Sequence, residues 1–150
     1  MSGVVNKFEH ETLSGLRLEI VGEVREGPYH VDGVPFAFAA TSDGGVAIGL
    51  CDGTGDWGDG RRGSRIAVDT MVQMMIPIGD DPAQRLRDAM QLGGMKMCQT
   101  HSGEPWPEDF PPSCLAAMLY ICDDSVHVAW IGDGPVFLIH GNVTVRDRPS

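Results

Sequence analysis

Asp52, Asp56 and Asp59 place three carboxylates within eight residues, in the run Val46-Ala-Ile-Gly-Leu-Cys-Asp-Gly-Thr-Gly-Asp-Trp-Gly-Asp-Gly60. Glycines at 53, 55, 58 and 60 allow such a loop to fold back, so that carboxylates and backbone carbonyls converge. Two like charges about 5 Å apart repel by roughly 3 kcal/mol at an effective dielectric near 20. Clustering them costs stability unless a cation neutralises them. A hard divalent ion such as Mg²⁺ or Mn²⁺ takes oxygen ligands and keeps several waters, so one or two carboxylates per ion suffice.

Two plainer explanations compete for the same residues. Asp-Gly is a common turn dipeptide, and acidic residues also keep loops soluble. Gly53-Thr-Gly-Asp-Trp-Gly58 also satisfies the G-x-G-x-x-G spacing of a dinucleotide-binding turn. A pyrophosphate needs bare backbone N–H groups at a helix N-terminus. Here carboxylates surround the loop, which disfavours an anionic ligand.

Further carboxylates stand at other breaks in the apolar pattern. Asp32 follows His30-Val31 just before an apolar run, and Gly132-Asp133-Gly-Pro135 interrupts two such runs. The histidines, His10, His30, His101, His127 and His140, are scattered, and only His30 lies close to a candidate carboxylate. There is no G-x-S-x-G elbow, and no cysteine is followed by arginine six positions on, so a serine or cysteine nucleophile has no motif to support it.

The elements that must position these groups follow from pattern. Val46 to Cys51 has no helical stripe and is bounded by Gly44-Gly45 and Asp52-Gly53, so it reads as a buried strand with Asp52 at its end. Leu16 to Val24 and Val34 to Ala40 are predicted strands, with a turn at Ser42-Asp-Gly-Gly45. These runs are expected to make an antiparallel pair, or a meander, that would deliver Asp32 near Asp52. Residues 1–15 carry no assigned element, with disorder one reading of them. Ser64 is a candidate N-cap for a helix from Arg65 to Ile76, whose apolar face includes Met71, Val72 and Met75. Asp81-Pro82 has the form of an N-cap followed by proline at the first helical position, opening a second helix that runs to Thr100 with Gly93-Gly94 weakening its middle. The four-proline segment Gly103 to Pro112 is a loop. Strands are then expected at Ser113 to Cys122, Ser125 to Gly132, Val136 to His140 and Val143 to Val145. Strands, two helices, then strands indicate an α+β fold with helices packed on antiparallel β-sheets.

Composition narrows the partners. A length of 150 residues with 42% hydrophobic content is one domain's worth of packed core. The net charge of −10 and pI near 4.7 disfavour nucleic acid and anionic membrane surfaces, which need a positive face. Cys51, Cys98, Cys114 and Cys122 show no C-x-x-C spacing and no disulfide is expected. With no apolar stretch near eighteen residues and no leader-like N-terminus, a cytoplasmic location is the default.

Three blocks, taken together and in order, resemble the metal-dependent protein phosphatases, the PPM or type 2C family, in its bacterial form. Asp52-Gly-Thr-Gly-Asp56 is similar to the family's D-G-x-G-G loop, followed by Gly63 to Met71, which is similar to its first helix. Ser113-Cys-Leu-Ala-Ala-Met-Leu119 resembles a strand that usually begins with paired threonines, and Val128 to Ile139 resembles the V-G-D-S-R-x-Y-L hairpin. The resemblance implies part of an αββα sandwich and hydrolysis of phosphoserine or phosphothreonine in a phosphoprotein. It implies two Mg²⁺ or Mn²⁺ ions, with Asp52 bridging them and the Gly53 carbonyl on one, while Asp133 matches a position near a third, weaker ion. Asp32 matches the closing aspartate of the family's N-E-D segment.

The departures carry equal information. Val31 stands where the family has glutamate, and Gly27 where it has the phosphate-gripping arginine, leaving Arg25 as a displaced candidate. Thr54 takes the place of a histidine used as general acid in eukaryotic members, and Gly134-Pro135 replaces Ser-Arg. Ser150 comes before the family's two later aspartate motifs. The sequence therefore also admits a pseudophosphatase, a phosphoprotein-binding or regulatory module in signalling, and self-association through exposed sheet edges.

Overall fold

The computed structural model describes residues 4–24, 35–54, 60–99, 113–123, 125–132, 136–140 and 143–147. In chain order the elements are β1 Val4–Glu11, β2 Arg17–Val24, β3 Phe36–Ala40, β4 Val46–Thr54, α1 Gly60–Met75, α2 Pro82–Gln99, β5 Ser113–Ile121, β6 Val126–Ile131, β7 Val136–His140 and β8 Val143–Asp147. The architecture is α+β, as expected. A central antiparallel sheet runs β3-β4-β5-β6, and β1-β2 and β7-β8 form separate antiparallel pairs. No described helix is long and apolar enough to cross a membrane.

Strand alternation divides the central sheet into two faces. The register pairs Ala47 with Tyr120, Gly49 with Met118 and Cys51 with Ala116, and these residues are buried against the helices. Gly49 is what lets α1 come so close, because a Cβ there would lie 3.0 Å from methyl groups of both Val68 and Val72. The opposite face carries Phe36, Phe38, Ile48 and Leu50. On it lies the β1-β2 hairpin, with Phe8 and Phe38 ring centroids 4.4 Å apart and the Phe36 ring filling the space above Gly22.

Four details differ from the sequence expectations or refine them. β1 falls in the stretch left without an element; its ladder with β2 and the ring of Phe8 hold it. Ser64 is not an N-cap, since α1 begins at Gly60 and Ser64 sits a turn inside it, fully buried. The Asp81 cap is present: its carboxylate accepts the Gln84 N–H at 2.9 Å. Gly93, expected to weaken α2, instead seats it on α1, where a Cβ would stand 2.5 Å from Met71 Cγ and 3.0 Å from the Ala67 carbonyl.

The central sheet has two unlike ends. At one, β3 turns into β4 through residues 41–45 and β5 into β6 through residues 122–125. At the other, β3 and β5 begin, β4 and β6 finish and α1 starts. Asp52 belongs to the second end.

Candidate functional site

Asp52 is half-buried near the end of β4, on the strand face turned away from α1 and α2, and Gly53 follows it in the same strand. The strand is anchored on both sides. The Cys51 N–H donates to the Pro35 carbonyl at 3.0 Å, which carries the β3-β4 pairing one step beyond Phe36. On the other side Asp52 is the register partner of Leu115, and Gly53 of Cys114. A carboxylate held this way keeps its position while one side remains open to solvent.

Topology brings other candidate segments to the same sheet end. Gly132, at φ +111°, lies directly over the Leu115 side chain, leaving no room for a Cβ. Leu115 therefore stands between Asp52 and the end of β6, two strands apart at about 10 Å. Asp133 immediately follows that glycine. On the β3 side, Pro35 lies beside Cys51, and Asp32 is three residues earlier in the chain. Asp32, Asp133, Arg25, Asp56 and Asp59 themselves lie outside the described residues. Among the described residues no group of three or more His, Cys, Asp or Glu side chains is placed to hold a metal ion.

Beneath Asp52 is a polar layer that the sequence reading missed. Ser64, in the second turn of α1, hydrogen-bonds the Cys51 thiol, and Cys51 in turn hydrogen-bonds Cys114 across the β4-β5 ladder. That contact with Cys114, followed by burial, pushes the Cys51 thiol well above its ordinary range, whereas the bond from Cys51 draws the Cys114 thiol below it. Neither cysteine has a C-x-x-C partner in the sequence; their meeting needed the strand register. The same layer is tied to β3 by Arg65, whose guanidinium donates to the Phe36 carbonyl at 3.0 Å and lies 3.6 Å from Asp69.

The far end of the sheet is bound by a different network. Tyr120 donates a short hydrogen bond to Asp43, which also accepts from the Thr41 hydroxyl at 2.5 Å and the Gly45 N–H at 3.2 Å. Burial alone would raise the Asp43 carboxyl; the bonds from Thr41, Tyr120 and Gly45 outweigh it and hold the group below the usual carboxylate range. Burial, with Asp43 beside it, pushes the Tyr120 phenol up. The Ser42 N–H donates to the Ile76 carbonyl at 2.7 Å, and His10 Nε2 donates to the Gly44 carbonyl at 2.8 Å.

The dinucleotide alternative fails on topology. β4 pairs antiparallel with both neighbours and α1 leads into a second helix, whereas a dinucleotide-binding turn belongs to a parallel βαβ unit.

Comparison with known proteins agrees with this geometry. The chain resembles the crystal structure of the PPM Ser-Thr phosphatase MsPP from Mycobacterium smegmatis in complex with cacodylate, with a TM-score of 0.56 and 17% identity. The likeness covers 97% of this chain and 52% of that one, so the chain spans about half the length of the phosphatase it matches. At that identity the likeness speaks for the fold alone. No curated protein matches. The sequence model of the family described as Protein phosphatase 2C matches residues 35–148, a stretch holding Asp52, the helix pair and the β5-β6 hairpin, and the chain therefore belongs to the protein phosphatase 2C family.

Proposed function

We propose that the chain is a metal-dependent phosphomonoesterase domain acting on phosphoserine or phosphothreonine in proteins, with its chemistry centred on Asp52. The observation that carries this is the position of Asp52: an anchored strand end, inside the family match, where β3 enters and β6 leaves. A half-buried aspartate beside a flexible glycine suits a hard divalent ion, since carboxylate and backbone carbonyl oxygens are the ligands such ions take. In this proposal Asp52 and the Gly53 carbonyl hold Mg²⁺ or Mn²⁺, and Asp32 and Asp133 complete the set from either side, with Asp133 nearest a third, weaker ion. When bound, the ions supply Lewis acidity and an activated water, so no protein nucleophile is required. The chain's own part is to fix the Asp52 carboxylate, through the flanking strands and the Ser64–Cys51 contact. Arg25 is the candidate for orienting the phosphoryl group. The location we infer is cytoplasmic, and any self-association would use the β3 or β6 edge, which light scattering would reveal.

A second function is favoured by one residue. Val31 has no ligating atom where the family places glutamate, so the ion set has one donor fewer. Such a chain would bind phosphoproteins without hydrolysing them. Calorimetric titration with Mn²⁺, alongside p-nitrophenyl phosphate turnover, separates the two. Two-site binding with turnover is expected for the enzyme. Absence of both removes the metal proposal and leaves the binding module.

A further inference from the structure

We propose that Cys122 is a thiol modification site that accepts half of a small-molecule disulfide, with Ser125 and His127 as the relay that removes its proton. Three side chains at the β5-β6 turn make the site. Cys122 Sγ lies 3.0 Å from Ser125 Oγ, and Ser125 Oγ lies 3.0 Å from His127 Nε2. The turn fixes that spacing, because the Cys122 N–H donates to the Ser125 carbonyl at 3.0 Å. The His127 ring is in turn stacked on Tyr120, with centroids 5.7 Å apart. All three residues of the relay are partly exposed, so a ligand can reach the sulfur from solvent. A nucleophile and a base joined through one hydroxyl is an arrangement that activates a thiol. The site lies at the opposite end of the sheet from Asp52 and does not depend on the metal proposal.

With His127 Nε2 unprotonated, the thiol donates to Ser125 Oγ and the Ser125 hydroxyl donates to the ring. As the Cys122 sulfur attacks one sulfur of the disulfide, the thiol proton passes to Ser125 and the hydroxyl proton to His127. A new S–S bond joins Cys122 to half of the disulfide, the original S–S bond breaks, and the departing thiolate takes the proton from His127. Cys122 is oxidised, the released half is reduced, and no further reactant is needed. Asp43, which accepts from Tyr120, and Asp123, which is exposed and accepts from Ser14, both stand at this turn. Their carboxylates favour a cationic disulfide over an anionic one.

The test treats the full chain with cystamine, a dicationic disulfide, quenches in acid at intervals and maps the cysteamine adducts by peptide mass, with the exposed Cys98 on α2 as internal reference. Cys122 should acquire one adduct that dithiothreitol removes. An unassisted thiol is only a few per cent ionised at neutral pH, so loss of the relay slows it there and costs nothing once the solution itself ionises the thiol. His127→Gln and, separately, Ser125→Ala should therefore slow the Cys122 adduct about 10-fold relative to Cys98 at neutral pH and match the parent at about pH 9.5. Equal slowing at both pH values would make the two residues structural and overturn the relay. Parent rates in both variants would overturn it too, and a Cys122 that stays unmodified while Cys98 is fully modified would overturn the site.

Discussion

The two ends of the central sheet are made from the same strands and treated oppositely. At the turn end, Asp43 is fully engaged, taking hydrogen bonds from Thr41, Tyr120 and Gly45, and the neighbouring backbone is tied to Ile76 and His10. At the other end Asp52 is held by its strand, with no hydrogen bond to its carboxylate among those of the described residues, and lies next to a glycine. One aspartate is engaged in stabilising the fold; the other takes no hydrogen bond from a described residue. The difference separates a structural carboxylate from a candidate ligand more sharply than composition does, since both belong to Asp-Gly dipeptides at strand boundaries.

Substitutions that exchange these roles would break the comparison. Asp52→Asn should remove all Mn²⁺-dependent hydrolysis of p-nitrophenyl phosphate and the Mn²⁺-induced rise in melting temperature, while the metal-free unfolding free energy stays within about 0.5 kcal/mol of the parent. Unfolding of this variant would show that Asp52 supports the fold instead. Asp43→Ala should do the reverse, costing about 1–3 kcal/mol in denaturant unfolding because the buried Tyr120 hydroxyl loses its acceptor, with Mn²⁺ titration unaffected.

Acid sharpens the same contrast. The Asp43 carboxyl titrates lower in the folded chain than in the unfolded one, so its contribution is complete above the ordinary carboxylate range and is lost as pH falls through the lower folded value. Unfolding curves collected downward from about pH 5 should therefore show a loss of stability that Asp43→Asn diminishes. The smallest effect belongs to His10→Ala, which removes one hydrogen bond to the Gly44 carbonyl and should cost about 1 kcal/mol by thermal melting. A larger loss would mean that the hairpin, not Asp43, secures the turn end.

Much of this was legible in sequence because it depends on local pattern. The β4 strand, the proline-led start of α2 and the β5-β6 turn are specified by residues within a few positions of one another. Ser64 misled for the same reason: its type suits a cap, but packing against Cys51 buried it within α1. Gly93 looked like a weakness because helix propensity is a single-helix property, while the close approach of Met71 and Ala67 is not. The layer under Asp52 and the engaged state of Asp43 join residues about sixty to eighty positions apart, and no spacing within the chain announces them. Val31 stayed visible throughout, since an apolar side chain where the family resemblance calls for glutamate needs no register to be noticed.

The β1-β2 hairpin has a practical corollary. Its tip rests by Gly44, so its open end, where Val4 pairs with Val24, extends past Phe36 towards the Asp52 side. Any oligohistidine handle fused ahead of Val4 would emerge there, offering imidazoles that chelate divalent cations in competition with the carboxylates being assayed. Titrations are best made with such a handle excised.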